Sequence, residues 1–135
     1  METVKVVYEG DLRCRARNNF GFDCATDATV EFQGKGEAFS PTDAVALALA
    51  SCSLTIMAYS MRRHNVDIKG SFVDVSKEMA ASPKNMVGKI GLSFKMCSGI
   101  PASLRPTLEK AVYACPVHNS LHPDIQYQIS FNYPD

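Results

Sequence analysis

Residues 44–61, from Ala44 to Met61, carry no charge, and only Ser51, Ser53, Thr55 and Ser60 among them are clearly polar. So long an apolar run needs cover, and that need constrains the rest of the chain more than any other feature. Its ends read as those of a helix. Ser40 is placed to be the N-cap, Pro41 suits the first helical position, and Asp43 stands three residues after Ser40 in a short-chain version of a capping box. Arg62, Arg63 and His64 suit the negative end of the helix dipole, and Asn65 suits a left-handed stop. The spacing predicts one helix from Pro41 to about His64, roughly 35 Å long at ~1.5 Å per residue. A membrane span needs the same length. The Ala- and Ser-rich composition and the amphipathic segments on either side favour instead the buried central helix of a soluble fold.

Those flanking segments alternate apolar with polar residues, the period of a strand with one buried face. Before the helix come Val4–Tyr8, Leu12–Arg17, Phe22–Cys24 and a weaker candidate at Val30–Phe32. In the second of these, Leu12, Cys14 and Ala16 share a face opposite Arg13, Arg15 and Arg17. After the helix come Ile68–Met79, Val87–Met96 and Ile125–Tyr133, the last with the cleanest alternation in the chain. A second helix fits Ala102–Ala114, with Pro106 tolerable near its first turn, and a shorter one fits Cys115 or Pro116 to Leu121. The pattern predicts a single α+β domain over residues 1–135, with antiparallel sheets around the long helix. At 135 residues the chain has little left to sheath a helix that is apolar all round. An obligate homodimer, in which sheets from both copies wrap two such helices, is therefore expected.

Lys and Arg number 14 against 14 Asp and Glu, with no basic patch, so neither a nucleic acid nor a membrane surface is an expected partner. The start, Met1-Glu2-Thr3-Val4-Lys5, lacks the basic-then-apolar run of a secretory signal, which predicts a reducing cytoplasm and makes the five cysteines thiols. Cys14 and Cys24 fall on apolar strand faces, where a free cysteine is a small hydrophobe. Cys97 ends a strand with nothing nearby to activate it. Cys52 differs, lying in mid-helix between Ser51 and Ser53, whose small side chains leave room for approach. Cys115 differs because it precedes Pro116 where a helix would begin, so that free N–H groups favour its thiolate, and His118 follows one turn on. Spacing alone does not show that these two thiols meet. Cys115, His118 and His122 could also line a helix face as zinc ligands, but no fourth ligand accompanies them, and no metal is expected. A Cys/His nucleophile pair for acyl transfer, Cys115 with His118 or His64, lacks an oxyanion-hole signature.

The run Ser40-Pro41-Thr42-Asp43-Ala44-Val45-Ala46-Leu47-Ala48-Leu49-Ala50-Ser51-Cys52, with Cys115-Pro116-Val117-His118-Asn119-Ser120-Leu121 far downstream and Tyr8-Glu9-Gly10-Asp11 near the start, resembles the OsmC/Ohr family. This is the family of osmotically induced and organic hydroperoxide resistance proteins. The resemblance implies an intertwined homodimer with two long central helices and a pair of active-site cysteines, here Cys52 and Cys115. It implies a thiol peroxidase in which Cys52 attacks an organic hydroperoxide and becomes a sulfenic acid. Cys115 then resolves it to a disulfide, which a lipoyl-type dithiol reduces. Peroxidase members hold the thiolate with an Arg near the first hairpin, for which Arg13 and Arg15 both stand near the right place. They pair that Arg with a Glu ten residues before the first Cys. Here that position is Thr42, with Asp43 adjacent. The alternative implied by that departure is a redox-sensing or small-ligand-binding member with little or no turnover.

Overall fold

The computed structural model describes residues 2–83 and 85–135. It divides into two compact units, one ending at Val45 and one running from Ala46 to Asp135.

The first unit is a three-stranded antiparallel sheet of β1 (Val4–Gly10), β2 (Arg13–Asn18) and β3 (Asp23–Asp27), in that order. Leu12 lies in the left-handed region at φ 63°, so it belongs to the turn and β2 begins at Arg13. Val6 stands opposite Ala16, which stands opposite Cys24, and Tyr8 stands opposite Cys14. The apolar face is thus the expected one, but within one chain it is open: Val4, Val6 and Tyr8 are exposed, Cys24 is exposed and Cys14 is half-buried. The weak strand candidate at Val30–Phe32 is instead a 3-10 turn. Thr29 C=O accepts from both Phe32 N–H (3.0 Å) and Gly34 N–H (2.9 Å), which curls the segment back over Ala28. Only a glycine fits at position 34, because a Cβ there would overlap the Ala28 carbonyl. Asp27, buried at 2% exposure, accepts the Glu37 N–H at 3.0 Å and so anchors the segment that leads into the long helix.

That helix, α1, runs Pro41–Arg62. Ser40 caps it as expected, its Oγ accepting the Asp43 N–H at 3.1 Å and its carbonyl the Ala44 N–H at 2.9 Å. Asn65 stops it in the left-handed region at φ 55°, and Val66 N–H closes on Met61 C=O at 3.2 Å. Ser51, Ser53 and Thr55 tolerate the apolar setting because each hydroxyl donates to the carbonyl four residues back, at 2.9, 2.8 and 2.8 Å. The helix is long and apolar enough to cross a membrane. Here, however, one stripe of it, Leu49, Ala50, Met57 and Met61, packs into the core of the second unit. The expectation of burial all round does not hold within one chain, because Leu47, Ser51, Thr55 and Tyr59 on the opposite stripe are exposed.

The core of the second unit is closed by a sheet in the order β4 (Phe72–Met79), β5 (Val87–Lys95) and β6 (Gln126–Asn132). β4 starts later than the Ile68 expected, because Gly70 has φ 92° and Ser71 N–H bonds Ile68 C=O at 3.0 Å, a turn. β4 and β5 are antiparallel but β5 and β6 are parallel, so the sheet is mixed rather than antiparallel throughout. The physical reason is the connection: residues 96–125, with their helical turns, are long enough for the crossover that parallel neighbours require. Ile90, Leu92 and Phe94 on β5 are buried, and Phe94 stacks on Phe131 of β6 with centroids 4.9 Å apart. The expected Ala102–Ala114 helix is broken into a 3-10 turn (Ala102–Leu104), a short α2 (Arg105–Lys110) and a second 3-10 turn (Ala111–Ala114). Pro106 lies in the first turn of α2. Arg105 lies over the Tyr133 ring at 4.2 Å, and Tyr133 donates its hydroxyl to Glu109 at 3.2 Å. The last helix, α3, is Pro116–Ser120.

Candidate functional site

α1 carries Cys52 half-buried against the core of the second unit, one residue before the fully buried Ser53. Cys115 reaches the same core from the other side of the chain. The residue before a proline is pushed towards extended backbone, and Cys115 has φ −67° and ψ 124°, which makes it the N-cap of α3 with Pro116 in the first turn. Its sulfur accepts the His118 N–H at 3.5 Å. The Cys115 side chain has no exposed surface, and the thiol of Cys52 is its neighbour in the same core, close enough to act on its ionisation. Folding therefore brings together two sulfurs that spacing could not connect.

Burial pushes the Cys115 thiol up, and the neighbouring Cys52 thiol pushes it further. The N–H groups of His118 and Val117 act the other way but do not prevail. Helix-dipole reasoning from the sequence favours a thiolate at Cys115, and this is corrected: a five-residue helix offers little field, whereas complete burial penalises the anion strongly. Cys115 is held as a neutral thiol, close to a partner that is itself half open to solvent.

Three rings pack together beside Cys115. His118 meets Tyr113 edge-on with centroids 5.6 Å apart, and lies tilted on Tyr127 of β6 at 4.7 Å. Burial raises the Tyr127 phenol, and negative charge at Cys115 raises it further. Sequence reasoning picked out neither tyrosine. The alternation of β6 puts Tyr127 on the apolar face, but no one-dimensional signal says that this face meets Cys115.

The other candidates belong to the unit ending at Val45. Arg13 pairs with Glu37 at 2.9 Å, and Arg15 pairs with Glu9 at 3.3 Å and Asp23 at 3.8 Å. Asp43 lies in the first turn of α1 with its N–H on the Ser40 cap, and the Thr42 hydroxyl is 3.3 Å from that of Ser40. Among the described residues no three His, Cys, Asp or Glu side chains gather as a metal site. His122 turns its Nδ1 to the Asp124 N–H at 3.0 Å. Cys97 donates its thiol to the Asp67 carbonyl at 3.8 Å.

The family model for OsmC-like proteins matches residues 34–130 of this chain. A Psychrobacter arcticus protein, provisionally named an osmotic stress induced and detoxification response protein, is 39% identical in sequence. Its structure superposes with a TM-score of 0.91, covering 98% of this chain and 96% of that one. Two more distant structures share the fold, each covering 98% of this chain and 96% of theirs. They are an organic hydroperoxide resistance protein OsmC of Legionella pneumophila (16% identity, TM-score 0.76) and an OsmC-like protein of Mycoplasma pneumoniae (18%, 0.81). No curated protein matches the sequence significantly. With a family match over most of its length and a relative of this identity across nearly all of it, the chain belongs to the OsmC-like protein family.

Proposed function

We propose that this chain, as a single OsmC-like domain over residues 1–135, is a thiol-dependent peroxidase for organic hydroperoxides, with Cys52 as nucleophile and Cys115 as resolving thiol. The observation that carries this reading is that the two thiols are neighbours in one core, one half-open to solvent and the other buried and neutral. In the first step the Cys52 sulfur takes the terminal peroxide oxygen and the O–O bond breaks, releasing the alcohol. In the second, Cys115 attacks the sulfenic sulfur and water leaves, giving a Cys52–Cys115 disulfide. A lipoyl-type dithiol returns both thiols and becomes a disulfide itself. None of these steps needs a metal or an organic cofactor. An alkyl substituent is favoured over hydrogen peroxide because the apolar side chains around α1 reward burial of hydrocarbon. Arg13 or Arg15, with Asp43, is proposed to support the Cys52 thiolate.

The reading includes a cytoplasmic homodimer. Its support is the apolar surface that each unit leaves open, Val4, Val6 and Tyr8 on β1 in the first and Leu47 and Tyr59 on α1 in the second. A second reading, a redox-sensing or ligand-binding protein with little turnover, is favoured by Thr42 in the position where peroxidase members carry Glu. Consumption of cumene hydroperoxide with dihydrolipoamide separates the two. The peroxidase reading expects turnover by the wild type that Cys52→Ser abolishes; no turnover above that variant favours the second.

A further inference from the structure

Cys115 is attached to the fold in an unusual way. Its sulfur is aimed by a cap bond from the His118 N–H, which exists only while α3 is helical. Five residues do not hold a helix by their own hydrogen bonds, since nucleation costs more than so few bonds return. Something outside α3 must hold it. Tyr113 lies on the 3-10 turn just before Cys115, His118 lies on α3 just after it, and their rings meet edge-on across the cysteine. Tyr127, on a strand of the sheet, packs against the same His118 ring. Each of these ring contacts joins two different elements.

We infer that His118 is a positioning residue for the resolving thiol: its ring, clamped between Tyr113 and Tyr127, keeps α3 folded so that the Cys115 sulfur stays aimed at Cys52. The inference rests on the two-cysteine reading above and extends it to a residue that is neither of the two reacting thiols. The clamp acts only on closure of the disulfide, after the first oxidation. It asks for a flat ring at position 118 and makes no use of the imidazole proton.

The test uses two oxidants on the full-length protein. With cumene hydroperoxide, Cys52 becomes a sulfenic acid and Cys115 displaces water from it. With the diazene diamide, a thiol adds across the N=N bond, and the second thiol displaces the hydrazine from the resulting S–N bond to form the disulfide. In both, closure is followed by loss of the second thiol under rapid quench. His118→Ala is expected to slow closure by about tenfold, the scale of one or two lost ring contacts, and to leave the first oxidation of Cys52 unchanged. His118→Phe is expected to close within about twofold of wild type, since it keeps the ring, and Tyr127→Leu to slow closure like His118→Ala. Closure at the wild-type rate in His118→Ala would overturn the clamp. So would a His118→Phe as slow as His118→Ala, which would point to the imidazole proton, or an equal slowing of both steps, which would mean general damage. If the wild type closes with diamide but not with the hydroperoxide, the peroxidase reading fails, and the order of variants with diamide still decides the clamp. Failure to close with either oxidant overturns both.

Discussion

The Cys115 sulfur accepts the His118 N–H at 3.5 Å, so the direction of a fully buried thiol depends on whether a helix of five residues is formed. That sulfur also neighbours the Cys52 thiol, and the proposed function assigns Cys115 the resolving rather than the attacking role on these two contacts. It is aimed, neutral and shielded from solvent.

Sulfenic acid should therefore form at Cys52. With Cys115→Ser, one equivalent of organic hydroperoxide is expected to leave a dimedone-type label on the peptide containing Cys52, and turnover should stop after that single event. With Cys52→Ser, labelling is expected to fall to background. A label on Cys115 in that variant would reverse the assignment.

The raised Cys115 thiol also has a consequence for stability. Because its folded-state value lies above the unfolded one, its contribution to folding is fully present below the ordinary thiol range, about 8.5. It is lost as the pH rises through the folded value. Urea midpoints of the reduced protein should fall on the alkaline side of that range, and Cys115→Ala should flatten the fall. In Cys52→Ser the loss of the neighbouring thiol should bring the Cys115 titration, followed by thiolate absorbance, down towards the ordinary range, with burial keeping it above. A Cys115 that titrates below that range would contradict the neutral-thiol picture.

Asp27 gives the opposite sign at the acidic end. The Glu37 N–H holds its carboxyl below the ordinary range, helped by the Lys35 and Ala28 N–H groups and the Arg13 charge, against the cost of burial. Its contribution is present above the ordinary carboxylate value of about 3.9 and is lost as the pH falls through the depressed folded value. Asp27→Asn should lower stability at neutral pH and remove part of the acid-side loss, as measured by urea denaturation along a pH series. An unchanged acid slope would show that Asp27 does not carry it.

The open apolar surface makes a prediction about assembly. Light scattering at about micromolar concentration should return twice the chain mass, with no folded monomer on dilution, as expected when the two copies complete each other's cover. Leu47→Glu combined with Tyr59→Glu should abolish that species, leaving monomer or aggregate, because both side chains are exposed on α1 in the single chain. A wild-type monomer would remove the homodimer from the proposal.

Local chemistry alone was enough to read α1, because its signals act over a few residues: the Ser40 cap, the proline at position 41, the left-handed Asn65 stop and an uncharged interior. The strands were legible for the same reason, since alternation states which face a side chain takes. Where a strand assignment failed, at Val30–Phe32 and Ile68–Ser71, the chain turns on a glycine, at Gly34 through a close approach to Ala28 and at Gly70 through its positive φ. The motif residues also marked Cys52 and Cys115 as the pair to watch.

Pairing direction, burial and charge state lay beyond local reading because they depend on elements distant in sequence. The parallel placement of β6 on β5 follows from a crossover, and that placement brings Tyr127 to the ring of His118. The rise of the Cys115 thiol reverses what its helix position predicts, because desolvation depends on everything packed around the sulfur and the dipole only on the residues that follow it. The sequence by itself determined which thiols this protein has and on which elements they lie; the tertiary structure decided that two of them come together, and that burial holds Cys115 as a neutral thiol.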